Sequence, residues 1–195
     1  MIISGIWFTG TNGYKFLKGY FLYKTGVMYT EDKPVKSEID TGSEKAASPS
    51  IQNVPLYENR PQKGDHVGEL FIPKLEARLP IYHGTDEDEL EKGVGHFADS
   101  VLPGEKDNSV LSGHRDTVFR SLGKVGKGDL LIARTSAGEF TYKVRQVRIV
   151  DEDDRTVIVP KPKATLTVST CYPFDFIGSA PERYILVADL IRKQP

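Results

Sequence analysis

Short apolar segments separated by turn residues recur along the chain from His66 onward. Segments of this length, rich in Val, Ile, Leu and aromatic residues and bounded by Gly, Pro, Asp or Asn, are typical of β-strands. They predict strands at residues 67–72, 79–82, 108–112, 130–134, 139–150, 164–170 and 184–187. The pattern therefore predicts a mainly β domain over residues 66–195, folded as a closed or nearly closed barrel with a few short helices outside it.

Two local features refine this prediction. The apolar positions of segment 139–150 change parity between Val144 and Val147, which predicts a β-bulge near Arg145 and Gln146. One helix is predicted after Thr85, which stands three residues before Asp88 at the spacing of a capping box. Leu90 and Val94 would form an i, i+4 pair on this helix before it ends at Gly95.

The residues before the predicted barrel differ from it in composition. Residues 1–29 combine aromatic and apolar residues with lysines, and Phe16, Tyr20, Tyr23 and Val27 recur at helical spacing. The uninterrupted apolar stretch is far shorter than the ~20 residues needed to cross a bilayer, so we predict an interfacial membrane helix. An amphipathic helix packed on the domain is the alternative. The abrupt apolar start also fits a membrane anchor that has lost its front.

Residues 30–65 are mostly polar, and their few apolar residues have no period, which predicts a flexible linker. The 195 residues suffice for one core-bearing domain and an appendage. With 26 basic and 27 acidic residues the net charge is −1, and no dense basic stripe is present, so nucleic acid is excluded as a predicted partner. A single cysteine cannot form an internal disulfide, so the core must stabilise the fold.

That cysteine is the main candidate for chemistry. Cys171 ends one predicted strand, Arg183 opens the next, and His114 follows a third in the stretch LSGHRDTVF. A cysteine nucleophile needs a nearby cation or proton acceptor. Because arginine stays protonated, Arg183 suits an oxyanion or carbonyl, and His114 must carry the proton. The set predicts acyl transfer through a thioacyl-enzyme, and the residue types leave open whether water or an amine resolves it.

The other histidines are weaker candidates. His66 lies at the linker edge and His83 in a turn after a strand, whereas His96 is the more serious rival to His114. We interpret His96 as a residue whose imidazole bonds nearby carbonyls at a helix end. A buried, non-catalytic Cys171 in a surface β-domain is a further alternative, since free cysteine packs well inside proteins.

Three ordered motifs carry a family resemblance. The run TVSTC at 167–171 is similar to the TLxTC signature of sortases, LSGHRDT resembles their histidine motif, and RYILVADL from Arg183 resembles their arginine-bearing strand. The resemblance covers residues 67–191, and GHRDTVF together with TCYPF is most similar to class D sortases of spore-forming Gram-positive bacteria. One departure is Val168, which replaces the leucine of the signature and is expected to face the core beside the nucleophile.

The resemblance implies an eight-stranded sortase barrel and a cysteine transpeptidase. It implies cleavage after Thr in an LPxTG-like or LPxTA-like sorting signal and transfer to an amine of a peptidoglycan precursor, such as lipid II or a diaminopimelate-type peptide. Cys171 would be the nucleophile, His114 the general acid and Arg183 the oxyanion stabiliser, with Thr170, Tyr172 and Pro173 lining the substrate site. It also implies a membrane-anchored protein whose catalytic domain lies on the extracellular face.

Two further points complete the prediction. A cysteine hydrolase is the rival enzyme class, but papain-like hydrolases orient their histidine with Asn or Asp, whereas the third residue here is an arginine. Acidic residues at 151–154 and at Asp99, Glu105 and Asp107 carry oxygen ligands of the kind that calcium takes. None of them has the spacing of a defined calcium loop. We interpret them as solvated acidic turns and predict no cofactor.

Overall fold

The computed structural model describes residues 55–175, 178 and 180–195. The predicted interfacial segment 1–29 and the first part of the predicted linker lie outside these residues. Eight strands are present: β1 His66–Ile72, β2 Ala77–His83, β3 Val94–His96, β4 Asn108–Ser112, β5 Leu130–Thr135, β6 Gly138–Asp151, β7 Thr165–Tyr172 and β8 Glu182–Gln194. One short α-helix, α1 Glu87–Leu90, and two 3-10 turns, Pro73–Leu75 and Leu122–Lys124, complete the described elements.

The strands close into a barrel in the order β1-β2-β3-β4-β7-β8-β6-β5, with β5 returning to β1. The pairs β2–β3 and β4–β7 are parallel and the others antiparallel. The prediction of a mainly β, eight-stranded barrel with few helices is confirmed. The parallel β4–β7 pair matters for function, because both strands then end at the same edge of the sheet.

The barrel interior is filled by one face of each long strand. In β2, buried side chains alternate with more exposed ones, as expected when successive residues point to opposite faces of a sheet, whereas the first four residues of β4 and of β7 are all buried. The largest fully buried side chains of the strands are Leu70, Ile72, Leu79, Ile81, Leu111, Leu131, Phe140, Tyr142 and Leu166. Gly104 closes one end, where its N–H donates to Tyr142 Oη at 2.6 Å. A side chain there would collide with the Phe140 ring, because a Cβ would lie 2.2 Å from it.

The predicted bulge in the long strand is confirmed. Val144 pairs with Ala188 and Gln146 with Val187, so one extra residue of β6 is accommodated opposite β8 between these pairs. After the bulge Val147 packs against the main core, which restores an inward apolar face. The parity change in the sequence therefore has a physical cause in the ladder itself.

The predicted helix is shorter than expected and begins one residue later. Its N-cap is Asp86 rather than Thr85, and Glu89 Oε2 accepts the Asp86 N–H at 3.2 Å. Val94 does not extend the helix but pairs with Ile81 as the first residue of β3. A β-branched residue between two strands favours the sheet over a further helical turn.

The chain before β1 packs on the barrel, which corrects the predicted linker at its end. Residues 55–65, the N-terminal strap, contain Tyr57, which is only 6% exposed. Its hydroxyl donates to Pro103 O at 2.6 Å and is 2.9 Å from Thr135 Oγ1, and burial raises its pKa to about 12. Arg60 binds Glu105 through both terminal nitrogens, at 2.8 and 2.7 Å. The folded part therefore begins before His66.

Helices contribute little to this architecture. Within residues 55–175, 178 and 180–195, no helix is long and apolar enough to cross a bilayer.

The strap provides a first prediction. Tyr57→Phe leaves Pro103 O without its donor in a buried position, so the free energy of unfolding should fall by about 1–3 kcal/mol. Urea denaturation measures this change. Tyr82→Phe is the matched control, because Tyr82 contacts His66 through its ring, with the centroids 5.5 Å apart, and this contact survives the substitution. Equal stability of the Tyr57→Phe variant and the wild type would contradict a stabilising role for the strap.

Candidate active site

The pairing of β7 with β8 brings Cys171 and Arg183 together. The two residues are direct partners in the antiparallel ladder. Leu166 and Val168 of β7 are fully buried in the barrel core, so Cys171, at odd spacing from them, faces the outer surface of the barrel. Directly opposed residues in antiparallel strands have Cβ atoms about 4.5–5.5 Å apart. The thiol and the guanidinium therefore share one external face.

The pairing of β7 with β4 brings the third candidate to the same edge. Ser112 is the partner of Ser169, and beyond it the Gly113 N–H donates to Ser169 O at 3.2 Å. His114 follows Gly113 directly, so its turn lies at the end of β7 that carries Cys171. The structure thus brings the ends of β4 and β7 and the start of β8 together, with a histidine, a thiol and a guanidinium at the junction.

His114 is held in a tight turn and faces a carboxylate. Its carbonyl accepts the Phe119 N–H at 3.1 Å, and the Phe119 ring packs where a Cβ on Gly113 would lie, 2.7 Å away. The imidazole is 33% exposed, and its Nε2 lies 3.5 Å from Glu87 Oε2 of α1. Sequence reasoning assigned no role to Glu87. Its place in the acidic first turn of α1 is the only signal that the sequence offered.

Arg183 is oriented by main-chain carbonyls and one acid. Nη1 donates to Ala180 O at 2.9 Å and Glu182 O at 3.0 Å, and Nη2 donates to Glu152 Oε2 at 2.9 Å. The Glu152 side chain is 50% exposed. Exposed ion pairs contribute little stability, so a substrate oxygen can replace this carboxylate at small cost. These contacts orient the guanidinium and leave it accessible to a substrate.

The segment between β6 and β7 packs on the outer face of β8. Val157 packs there on Ile185 and Val187 of β8. The Asn108 amide donates to Val157 O at 3.3 Å and to Val159 O at 3.2 Å, and its own Oδ1 accepts the Thr167 hydroxyl at 2.7 Å. The segment between β6 and β7 is therefore attached to β4 and, through Asn108, to β7.

The residues after the nucleophile are anchored to the core. The Tyr172–Pro173 peptide bond is cis. The Tyr172 ring stacks on Tyr184 with centroids 6.2 Å apart, and Phe174 meets the Tyr184 ring edge-on at 5.2 Å. Tyr172 and Pro173 are partly buried, and their role in substrate binding stays a prediction.

One prediction about a neighbour of Cys171 needs correction. Thr170 is only 3% exposed, and its hydroxyl donates to Gly113 O at 2.8 Å, so it supports the His114 turn instead of lining the substrate site. It shares the inward parity of Val168, which excludes it from the outer face. Val168 faces the core, as expected.

His96 has the surroundings of a structural residue, because it is buried and hydrogen-bonded within the protein. It is fully buried in β3, its Nε2 lies 2.9 Å from Val101 O, and its Nδ1 lies 3.0 Å from His83 Nδ1. The carbonyl contact requires a proton on Nε2, which leaves Nδ1 to accept from His83 in the neutral ring. Burial lowers the pKa of His96 to about 4. The interpretation that its imidazole bonds nearby carbonyls is correct, although the residue lies in a strand rather than at a helix end.

Several of the acidic residues considered for calcium have protein partners. Glu105 binds Arg60 and the Leu102 N–H, and Asp107 Oδ1 accepts the Lys161 N–H at 2.6 Å. Asp154 binds Arg148 at 2.9 Å. Among residues 55–175, 178 and 180–195, no group of three or more His, Cys, Asp or Glu side chains is arranged to hold a metal ion.

Comparison with known proteins identifies the architecture. The profile of the sortase domain matches residues 70–191, which contain all three candidate residues. The chain belongs to the sortase family. It is 42% identical to Sortase D of Bacillus subtilis (strain 168), over 95% of this chain and 93% of that protein. It is therefore a sortase-family cysteine transpeptidase and a class D homologue.

Solved sortase structures share the barrel. The Sortase D5 transpeptidase of Clostridium perfringens superposes with a TM-score of 0.62 at 29% identity, covering 67% of this chain and 82% of that chain. Sortase C from Clostridium perfringens SM101 gives a TM-score of 0.61 at 33% identity, covering 67% of this chain and 72% of that chain.

Substitutions of His96 and His114 should have different effects, because the two rings lie in different environments. Since the folded-state pKa of His96 lies below the unfolded value of 6.5, the unfolded chain binds its proton first as the pH falls. The contribution of the neutral His96 ring to the free energy of unfolding is complete above about pH 6.5. It declines by about 3 kcal/mol as the pH falls toward 4. His96→Gln should flatten this dependence of the unfolding free energy and keep most turnover in this sortase, whereas His114→Ala should abolish turnover.

Urea denaturation at several pH values measures the first effect, and peptide turnover measures the second. His66→Gln is the control, because it makes the same substitution at an exposed histidine at the start of β1. A turnover loss in His96→Gln as complete as in His114→Ala would contradict the assignment of the two roles.

Proposed function

We propose that this sortase cleaves an LPxTG-like sorting signal after its Thr and transfers the acyl group to an amine of a peptidoglycan precursor. The observation that carries the proposal is the direct pairing of Cys171 with Arg183 on the outer face, beside the His114 turn. These three groups can supply nucleophile, oxyanion stabiliser and proton carrier within one junction of strand ends.

The proposed reaction has two halves. The Cys171 sulfur attacks the Thr carbonyl carbon, and Arg183 stabilises the negative charge that develops on the carbonyl oxygen. His114 donates a proton to the departing amine, the peptide C–N bond breaks, and a thioacyl-enzyme forms. An incoming amine then attacks the thioester carbon and gives a proton to His114, and the thiolate leaves. Each group returns to its starting protonation state.

The chain's first residues support a membrane location for this reaction. The aromatic and lysine pattern of residues 1–29 suits an interfacial or anchoring segment, and the polar residues that follow would let the barrel reorient above a surface. We propose a catalytic domain on the extracellular face of the cell membrane. Flotation of the full chain with liposomes tests the membrane association, and its absence would contradict it.

The decisive experiment supplies both halves of the reaction. The full chain is incubated with LPxTG-like or LPxTA-like peptides, with and without diaminopimelate, and the products are identified by mass spectrometry. We expect an amine-dependent transpeptidation product that disappears in Cys171→Ala. Product that forms at the same rate with water alone, and never contains the amine, would favour the rival hydrolase.

Arg183 provides a quantitative prediction. Arg183→Ala removes a donor aimed at the developing oxyanion, so kcat should fall by about 10²–10³-fold. Arg183→Lys keeps the charge but loses the planar fork, and its kcat should lie between alanine and wild type. Alkylation of Cys171 by a small electrophile controls for an intact, accessible thiol. A kcat unchanged in both variants would remove Arg183 from the mechanism.

A further inference from the structure

Arg115 reaches from the His114 turn to the loop that joins the two catalytic strands. This β7–β8 loop comprises residues 173–181. Arg115 Nη1 donates to Pro173 O at 2.8 Å, and Nη2 donates to Gly178 O at 3.2 Å. One guanidinium thus binds both the first residue of the loop and a residue five positions later. His114 and Arg115, adjacent in sequence, face two different parts of the site.

The two ends of the loop are held in different ways. Near Pro173, the rings of Tyr172 and Phe174 pack at the barrel end, 5.7 Å apart. Near Gly178 the backbone has a φ of 108° and is exposed, so little packing supports it. In the part of the loop that the structure describes, Arg115 supplies the hydrogen bonds that connect it to the His114 side of the cleft.

The chemistry of the contact explains why an arginine is used. Among the described residues, no carboxylate lies within ion-pair distance of Arg115, and its charge is met by two carbonyl dipoles. Hydrogen bonds from a charged donor are stronger than neutral ones, and the planar fork can serve two acceptors at fixed separation. A lysine carries all of its donors on one nitrogen and lacks the two separate nitrogens that meet Pro173 O and Gly178 O here.

We propose that Arg115 is a positioning residue that holds Pro173 and Gly178 of the β7–β8 loop against the His114 side of the cleft and thereby sets the affinity for the sorting signal. This inference rests on the proposed function, because the loop joins Cys171 to Arg183 and borders the site where the acyl donor would bind. Arg115 acts through the loop carbonyls and carries no proton, since a guanidinium stays protonated at any working pH.

The test combines kinetics with a direct measurement of the loop. Arg115→Ala removes both hydrogen bonds to the loop and should raise KM for an LPxTG-like peptide by about tenfold, because part of the lost free energy is lost from peptide binding, while kcat changes far less. Hydrogen exchange of the loop amides, followed by mass spectrometry, should be faster than in wild type. Arg115→Lys should give an intermediate KM. Arg192→Ala is the control, because Arg192 is exposed near the far end of β8.

The outcomes separate the two proposals. Unchanged KM and unchanged loop exchange in a folded Arg115→Ala variant would overturn the inference, as would faster exchange with unchanged KM. A lower melting temperature with wild-type KM would show a merely structural role and overturn it as well. A wild-type chain that forms no amine-dependent product would overturn the proposed function. The loop exchange would then still decide whether Arg115 orders the loop.

Discussion

The register of β7 against its two neighbours is the constraint on which the site depends. β7 pairs antiparallel with β8 and parallel with β4. A slip of one residue would turn Cys171 into the barrel and expose Val168. Leu166, Val168 and Leu186 are fully buried, and burying each such side chain stabilises the fold by about 1.5–3 kcal/mol. The hydrophobic core therefore determines which side chains face the cleft.

Local patterns predicted the fold wherever the cause was local. The bulge opposite β8 follows from the parity of Val144 and Val147, because alternation is a property of the strand itself. β3 was missed, since Val94–His96 is too short to display alternation and follows a helix-capping pattern. The N-terminal strap was missed because Tyr57 is fixed by Pro103, 46 positions away, and no neighbouring residue signals that contact.

At the candidate active site, too, residues with a local sequence signal could be predicted, whereas residues placed by distant contacts could not. Cys171, His114 and Arg183 could be proposed from sequence because each stands at the boundary of an apolar run, where a side chain can leave the core. The inward direction of Thr170 was also readable, since it shares parity with Val168, but adjacency to the nucleophile outweighed that signal. Glu152 lies in an acidic run whose members look alike in sequence, and only the paired ends of β6 and β8 single it out.

Two arginines donate hydrogen bonds to carbonyls of the β7–β8 loop. Arg183 donates to Ala180 O, and Arg115 donates to Pro173 O and Gly178 O. Carbonyl acceptors are neutral dipoles, so these contacts fix each guanidinium without cancelling its charge. A positive charge that is already oriented needs no reorganisation when an oxyanion develops nearby. The loop carbonyls can therefore orient the two guanidinium groups and still leave their positive charge for an oxyanion. A buried carboxylate at the same place would neutralise that charge.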